Sequence, residues 1–307
     1  MKILITGAGG MLGTDLSKTF APHLSTSGID IAEKPHLGIP CRICDLADYK
    51  KTKAVLLDEK PDWIIHAAAM TQVDLCETRK EEALLSNLTA TENLVQIANE
   101  LGSPLIFFST DYVFDGKKDG PYTEDDLPNP IGFYGETKLR AENYIRQFSK
   151  SFMIFRISWL FGEYGNSFPR TMLKIAEKEK VVKVVDDQTG RPTYTKDLAC
   201  AIFELIHPSP EKALKNLNQV FHLTNEGATS WYEYAKFIFH VTGKDEIRVV
   251  PISSRELDRK ARRPANSVLC LDKSEKQLGL KLRSWQKAVK DYLHSLNPKQ
   301  DLTHEHL

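Results

Sequence analysis

Lys2-Ile3-Leu4-Ile5-Thr6-Gly7-Ala8-Gly9-Gly10-Met11-Leu12-Gly13 is the stretch from which the fold of this 307-residue chain is read. From Ile3 to Thr6 every residue is apolar or β-branched, as in a buried strand, and the glycines end the run. Beyond them Leu12, Leu16 and Phe20 recur every fourth residue and lay one apolar stripe along a helix. Strand, Gly-rich turn and helix in that order are the setting in which glycines bind a dinucleotide. Gly7 permits the tight turn, Gly10 admits backbone to a pyrophosphate, and Gly13 lets the helix pack close on the sheet. The helix N-terminus offers unpaired N–H groups and a partial positive charge to the phosphates. The spacing is Gly-x-x-Gly-x-x-Gly, not Gly-x-Gly-x-x-Gly, and the bland reading is an ordinary flexible turn.

Outward from this turn the alternation continues. Strands are predicted over Gly28–Ala32, Trp63–Ala69 and Leu105–Phe108. Leu84, Leu88, Thr91, Val95 and Ala98 keep a 4-3-4-3 spacing that predicts one helix over Glu81–Leu101. Strands alternating with long helices mean βαβ units and a parallel sheet. After about residue 160 the rhythm loosens. Phe168–Lys178 and Asp197–Ile206 read as helices and Val181–Val185 as extended. Ser230 to Glu233 has capping-box spacing ahead of a helix to Val241, and the tail Asn297–Leu307 is polar. With no repeat and no low-complexity linker, the second lobe is expected to interleave with the first. The fold class is therefore α/β, a Rossmann-type doubly wound parallel sheet with a smaller interleaved α/β substrate lobe.

Composition narrows the function. Lys plus Arg and Asp plus Glu both number 41, so the formal charge is zero and there is no footprint for nucleic acid or an anionic membrane. Hydrophobic residues at 41% and charged ones at 27% suit a globular core. No apolar run approaches the roughly 18 residues of a membrane helix. The N-terminus has no signal-peptide pattern, and five cysteines fit reduced thiols, so a cytoplasmic location is expected.

Asp30 stands 17 residues beyond Gly13, at a strand end. A carboxylate there accepts hydrogen bonds from an adenosine ribose and favours NAD over a 2′-phosphate. Read blandly, it is a turn aspartate. Asp45, ahead of Leu46, is a candidate for the adenine edge, or a helix cap. Tyr134 and Lys138 lie four apart on one helix face, where an ammonium lowers a neighbouring phenol's pKa and equips it to protonate a carbonyl oxygen. Chance alone supplies about one Tyr-x-x-x-Lys, and this chain also has Tyr49/Lys53 and Tyr232/Lys236. Only Tyr134 follows a strand opening onto Ser109-Thr110-Asp111, and open α/β sheets bind ligands at such strand ends.

Several segments together resemble the extended short-chain dehydrogenase/reductases, and within them the dTDP-4-dehydrorhamnose reductase family. They are Gly7–Gly13, His66–Asp74, Ser109–Gly116, Tyr134–Leu139, Arg156–Trp159, Asp187–Thr193 and Ala261–Pro264. The resemblance implies a catalytic triad of Thr110, Tyr134 and Lys138. It implies that Gly7, Gly10, Met11, Leu12, Gly13, Asp30, Asp45, Leu46, Ala68, Ala69, Met70, Thr71, Tyr134 and Lys138 line NADH or NADPH. Val73, Thr110, Asp111 and Trp159 would contact the sugar of a nucleotide-sugar substrate. Residues 1–160 would form the NAD(P)-binding Rossmann domain and 161–307 mainly the substrate-binding lobe, with about 195–225 returning to the first. The expected reaction is reduction of a 4-keto group on a nucleotide-linked deoxysugar, by a monomer or homodimer.

The match has departures. Asn87-Leu88-Thr89-Ala90-Thr91 is similar to an Asn-x-x-Gly-Thr motif but has Ala90 for glycine. Some members gather acids around a metal at a dimer contact. Asp15 fits one such place, yet Lys196 stands where another acid is expected, so no metal is assigned. Cys41-Arg42-Ile43-Cys44 lacks a second pair for zinc. His304-Glu305-His306 lies in the tail, and His66 reads as a packed strand-end histidine. The Arg259–Arg263 cluster suits either a diphosphate or a solvated loop, and Trp159 would ordinarily be core. Two alternatives remain. One is a nucleotide-sugar epimerase or dehydratase, although dehydratases carry Asp-Glu after the threonine and epimerases tend to serine at position 110. The other is a regulatory binding subunit resembling the beta subunit of methionine adenosyltransferase.

Overall fold

A computed structural model of the chain describes residues 1–296, so the tail Asn297–Leu307, with His304-Glu305-His306, lies outside the described residues. Its central sheet has seven strands: β1 (Lys2–Thr6), β2 (Ser25–Asp30), β3 (Cys41–Ile43), β4 (Trp63–His66), β5 (Leu105–Thr110), β6 (Phe152–Ile157) and β7 (Gln219–His222). Their order is β7-β6-β5-β4-β1-β2-β3, every pair parallel. The chain thus builds outward from β1 to β3, then crosses back to β4 on the other side. This reversal is the switch point at which doubly wound sheets bind ligands. The α/β class read from the sequence holds.

Both faces of the sheet are covered, which is why its strands are continuous apolar runs. Ile3 and Ile5 point into one core with Leu16, Phe20, Ile202 and Phe221. Leu4, between them, points the other way onto Ile64, Leu94, Ala98, Phe107 and Ala141, as the period of two in a strand requires. The stripe Leu12, Leu16 and Phe20 lies buried on helix Met11–Phe20, each large side chain contributing roughly 2–3 kcal/mol by leaving water. Helix Thr195–Ile206 packs beside it, and β7 joins β6, so chain from beyond residue 190 returns to the main sheet. The remainder surrounds a second core of Phe161, Tyr194, Tyr234, Phe239 and Tyr292. There Val181–Val185 pairs in parallel with Arg248–Ile252.

Boundaries moved in three informative places. The second strand begins at Ser25 rather than Gly28, because buried Thr26 and Ser27 hide it from an apolar count. The run at Trp63 leaves the sheet at His66, freeing Ala67–Gln72 as a loop. The helix expected over Glu81–Leu101 is interrupted: Lys80–Leu84 passes into a π turn at Leu85–Thr89, then Ala90–Leu101. Such turns insert one residue and favour functional positions, and here the residue displaced inward is Asn87.

Between β6 and helix Phe133–Phe148 lies a buried ion pair. Arg156 Nε and Nη2 donate to Glu142 Oε1 and Oε2 at 3.0 and 2.7 Å, both side chains at most 1% exposed. Removing one partner strands the other charge in the interior. Glu142→Ala is therefore expected to lower unfolding free energy by about 3–5 kcal/mol in urea titrations.

Candidate active site

The carboxyl ends of β1, β4 and β5 and the start of helix Phe133–Phe148 border a cleft of about 380 Å³. The turn supplies Gly10, Met11, Leu12 and Gly13, and the loop after β4 supplies Ala69, Thr71 and Val73. Thr110 and Asp111 come from the end of β5, Tyr134 and Lys138 from the helix, and Trp159 from beyond β6. Twelve of the expected site residues thus share one cavity.

Gly7, Asp30, Asp45, Leu46, Ala68 and Met70 do not line it. Gly7 sits behind the turn at φ +65°, and a Cβ there would lie 2.6 Å from the Ala68 Cα. Asp30 accepts the Gly9 N–H at 2.9 Å. Asp45 accepts the Ala47 N–H at 2.9 Å, a local turn, and Leu46 is buried in the second face's core. Met70 is clamped by its backbone rather than turned inward.

The turn fits a dinucleotide on steric grounds. A Cβ on Gly13 would fall 2.0 Å from the Gly7 carbonyl oxygen, so only glycine lets helix Met11–Phe20 approach this closely. Gly10 is its N-cap and gives no side-chain cap, which leaves the first-turn N–H groups directed at the cleft.

A chain of hydrogen bonds holds the catalytic helix against this loop. The Thr91 hydroxyl donates to the Asn87 carbonyl at 2.8 Å. Its oxygen is then left to accept from His66 Nε2 at 3.1 Å, and His66 Nδ1 accepts from Thr6 at 2.7 Å. Asn87 Oδ1 accepts the Met70 N–H at 2.8 Å, while Nδ2 donates to the Met70 carbonyl at 3.1 Å and to Thr137 at 3.0 Å. Thr137 in turn donates to the Tyr134 carbonyl at 2.8 Å. The strand-end histidine is thus a hub, and the asparagine exposed to this role by the π turn is its centre.

Burial disfavours the charged form of each of these groups. Desolvation, with the Lys138 charge, presses His66 down to about 3. Lys138, 3% exposed and with its ammonium 3.9 Å from the Phe107 ring centroid, falls to about 7 through burial. Burial, then the Asp111 charge, raises the Tyr134 phenol, against the Thr110 hydroxyl beside it. The expected lowering of this phenol's pKa by Lys138 is not seen: the ammonium lies over Phe107, and burial raises the phenol instead. Asp111 is pushed up to about 7 by burial although Thr110 donates to its Oδ1 at 3.0 Å, and among the described residues its Oδ2 has no hydrogen-bond partner.

Trp159 is not simply core. It adopts φ +47° and stacks on Trp231 with centroids 3.6 Å apart, and both rings line the cleft. Gly190 makes room for the indole, since a Cβ there would lie 2.4 Å from it. Trp231, Asn166 and Tyr112 are cleft residues that sequence reading missed. Trp231 carried only a helix-start signal, and Ser230 does cap its helix. The other Tyr/Lys pairs sit elsewhere: Lys53 bonds Glu100, and Tyr232 with Lys236 borders a separate groove beside Trp285. Arg263 forks onto Asp74 at 2.7 and 3.3 Å, next to cleft residue Val73. Cys41 and Cys44 are free thiols. No group of three or more His, Cys, Asp or Glu placed to hold a metal is found among the described residues. No described helix is long and apolar enough to cross a membrane.

Comparison with known proteins gives one consistent answer. A family model described as RmlD substrate binding domain matches residues 1–297. The chain is 35% identical to the spore coat polysaccharide biosynthesis protein SpsK of Bacillus subtilis, covering 95% of this chain and 96% of that one. It is 34% identical to the dTDP-4-dehydrorhamnose reductase of Escherichia coli, covering 96% and 98%. The crystal structure of dTDP-4-dehydrorhamnose reductase from Bacillus anthracis in complex with NADP superposes with a TM-score of 0.86. Identity there is 30%, over 96% of this chain and 99% of that one.

Asp15, one turn beyond Met11, accepts the Thr195 hydroxyl and is raised to about 6 by burial. Its folded pKa exceeds the unfolded value, so stability present at acid pH is lost as pH rises from about 4 to 6. Asp15→Asn is expected to match the parent protein at pH 4 and to exceed it by about 2 kcal/mol at pH 8, in paired thermal melts.

Proposed function

The chain belongs to the RmlD substrate binding domain family, and from that premise we propose that it is an oxidoreductase acting on a nucleotide sugar. It reduces the 4-keto group of dTDP-4-dehydro-L-rhamnose to dTDP-L-rhamnose, a precursor of surface polysaccharide, with NADH or NADPH. The bound nicotinamide supplies the hydride. Thr110, Asp111, Tyr134 and Lys138 meeting at one cleft with the glycine turn is the observation that carries this reading.

Each side chain has a role that its surroundings favour. Tyr134 gives its proton to the carbonyl oxygen, and the burial that keeps the phenol protonated suits a donor. Thr110, beside it, hydrogen-bonds the developing alkoxide. Lys138 holds the nicotinamide ribose and eases the charge on Tyr134 as its proton leaves. Gly10, Met11, Leu12 and Gly13 would hold the pyrophosphate of a bound cofactor, and Ala69 and Thr71 would lie on its nicotinamide side. Val73, Asp111 and Trp159 contact the sugar, with Asp111 Oδ2 as an acceptor for a hydroxyl. In this division residues 1–160 bind the cofactor. Residues 161–307 mainly bind the sugar, apart from the returning segment near 195–225. A cytoplasmic monomer or homodimer fits the free cysteines and the neutral charge.

Absorbance at the nicotinamide band, with the 4-keto sugar and each cofactor in turn, tests the proposal. Substrate-dependent oxidation is expected with the parent protein. Tyr134→Phe is expected to lose about 100-fold or more in turnover while cofactor affinity changes less than about twofold. Near-normal turnover in that variant would sink the assigned role of Tyr134. No oxidation by the parent protein, with cofactor bound, would favour a regulatory binding subunit.

A further inference from the structure

The end of β2 carries two opposite charges at the tip of the glycine turn. Asp30 Oδ2 accepts the Gly9 N–H at 2.9 Å, and its Oδ1 lies 3.4 Å from the Ala32 N–H. Lys34 Nζ is 3.9 Å from that same Oδ1, attracted to it but beyond direct hydrogen-bond distance. The lysine stem crosses the turn: a Cβ built on Gly9 would lie 2.3 to 2.5 Å from its Cγ, Cδ and Cε. Glycine at position 9 therefore makes room for Lys34 as well as for the loop. Nothing in the spacing Asp30-Ile31-Ala32-Glu33-Lys34 shows this, because the fold of the loop, and not a motif, brings the ammonium back over the turn.

An adenosine ribose bound at the end of β2 meets the Asp30 carboxylate, which suits a 2′-hydroxyl and repels a 2′-phosphate. The ammonium changes that balance. Its charge offsets the carboxylate, and among the described residues it makes no hydrogen bond, so its N–H donors remain for an anion. We propose that Lys34 is the residue that admits the 2′-phosphate, swinging from Asp30 onto it, so that the chain takes NADPH in preference to NADH while accepting both. The inference rests on the cofactor site proposed above and not on the identity of the sugar.

Two probes without a nicotinamide separate it from catalysis: 2′,5′-ADP, which carries the 2′-phosphate, and 5′-AMP, which is the same molecule without it. In calorimetric titrations the parent protein is expected to bind 2′,5′-ADP about tenfold tighter than 5′-AMP. Lys34→Met keeps an unbranched stem over Gly9 and removes the charge. It is expected to bring the two probes within about twofold by weakening 2′,5′-ADP alone. No preference in the parent protein, or an intact preference in Lys34→Met, overturns the proposal. An equal loss for both probes also overturns it, since the stem would then matter only as packing. Failure of sugar reduction would remove the substrate reading and leave this contrast intact.

Discussion

The approach of helix Met11–Phe20 to the end of β1 is the constraint on which the rest depends. No side chain fits between the Gly13 Cα and the Gly7 carbonyl. The helix can therefore sit with its first turn at the strand ends, where the sheet reverses direction and a crevice is unavoidable. A residue larger than glycine would push the helix outward and separate Met11 and Leu12 from Tyr134 across the cleft. The same contact lets Leu16 and Phe20 reach the core under helix Thr195–Ile206, so the steric rule at the turn and the hydrophobic burial behind it reinforce each other.

Around that crevice the protein removes charge rather than adding it. His66 is held neutral between two threonines, Lys138 lies against an aromatic ring, and Tyr134 stays protonated. Burial pushes the Asp111 carboxyl well above the usual carboxylate range. These are the consequences of burial with few charged partners, where a charge interacts more strongly than it would in water. Between the loop after β4 and the catalytic helix, hydrogen bonds do the positioning. Asn87 joins the Met70 backbone to the helix bearing Tyr134.

Much of this was legible in the sequence, for physical reasons that can be named. Glycine spacing after an apolar run is a steric statement, and it is enough to place Gly10 and Gly13 at a cleft; Met11 and Leu12 come with the family resemblance. Tyr134 and Lys138 are separated from two decoy pairs by what precedes them in the chain. Other features were hidden. The π turn at Leu85–Thr89 leaves the apolar spacing almost unchanged while rotating Asn87 inward. Trp231 reaches the cleft from a distant lobe, and only the stacking on Trp159 reveals it. Lys34 was invisible because its position depends on how a loop folds back, which residue spacing does not encode.

The buried fork of Arg156 and Glu142 has a meaning beyond stability. Tyr134, Lys138 and Glu142 follow one another at intervals of four, along one face of a single helix. A slip of one residue turns a helix by about 100°, and the apolar contacts of a bundle tolerate such errors better than a two-point polar joint does. Because both bonds of the fork close at only one angular setting, the guanidinium on β6 acts as an index mark for the helix. It fixes the azimuth of the phenol two turns away without touching it.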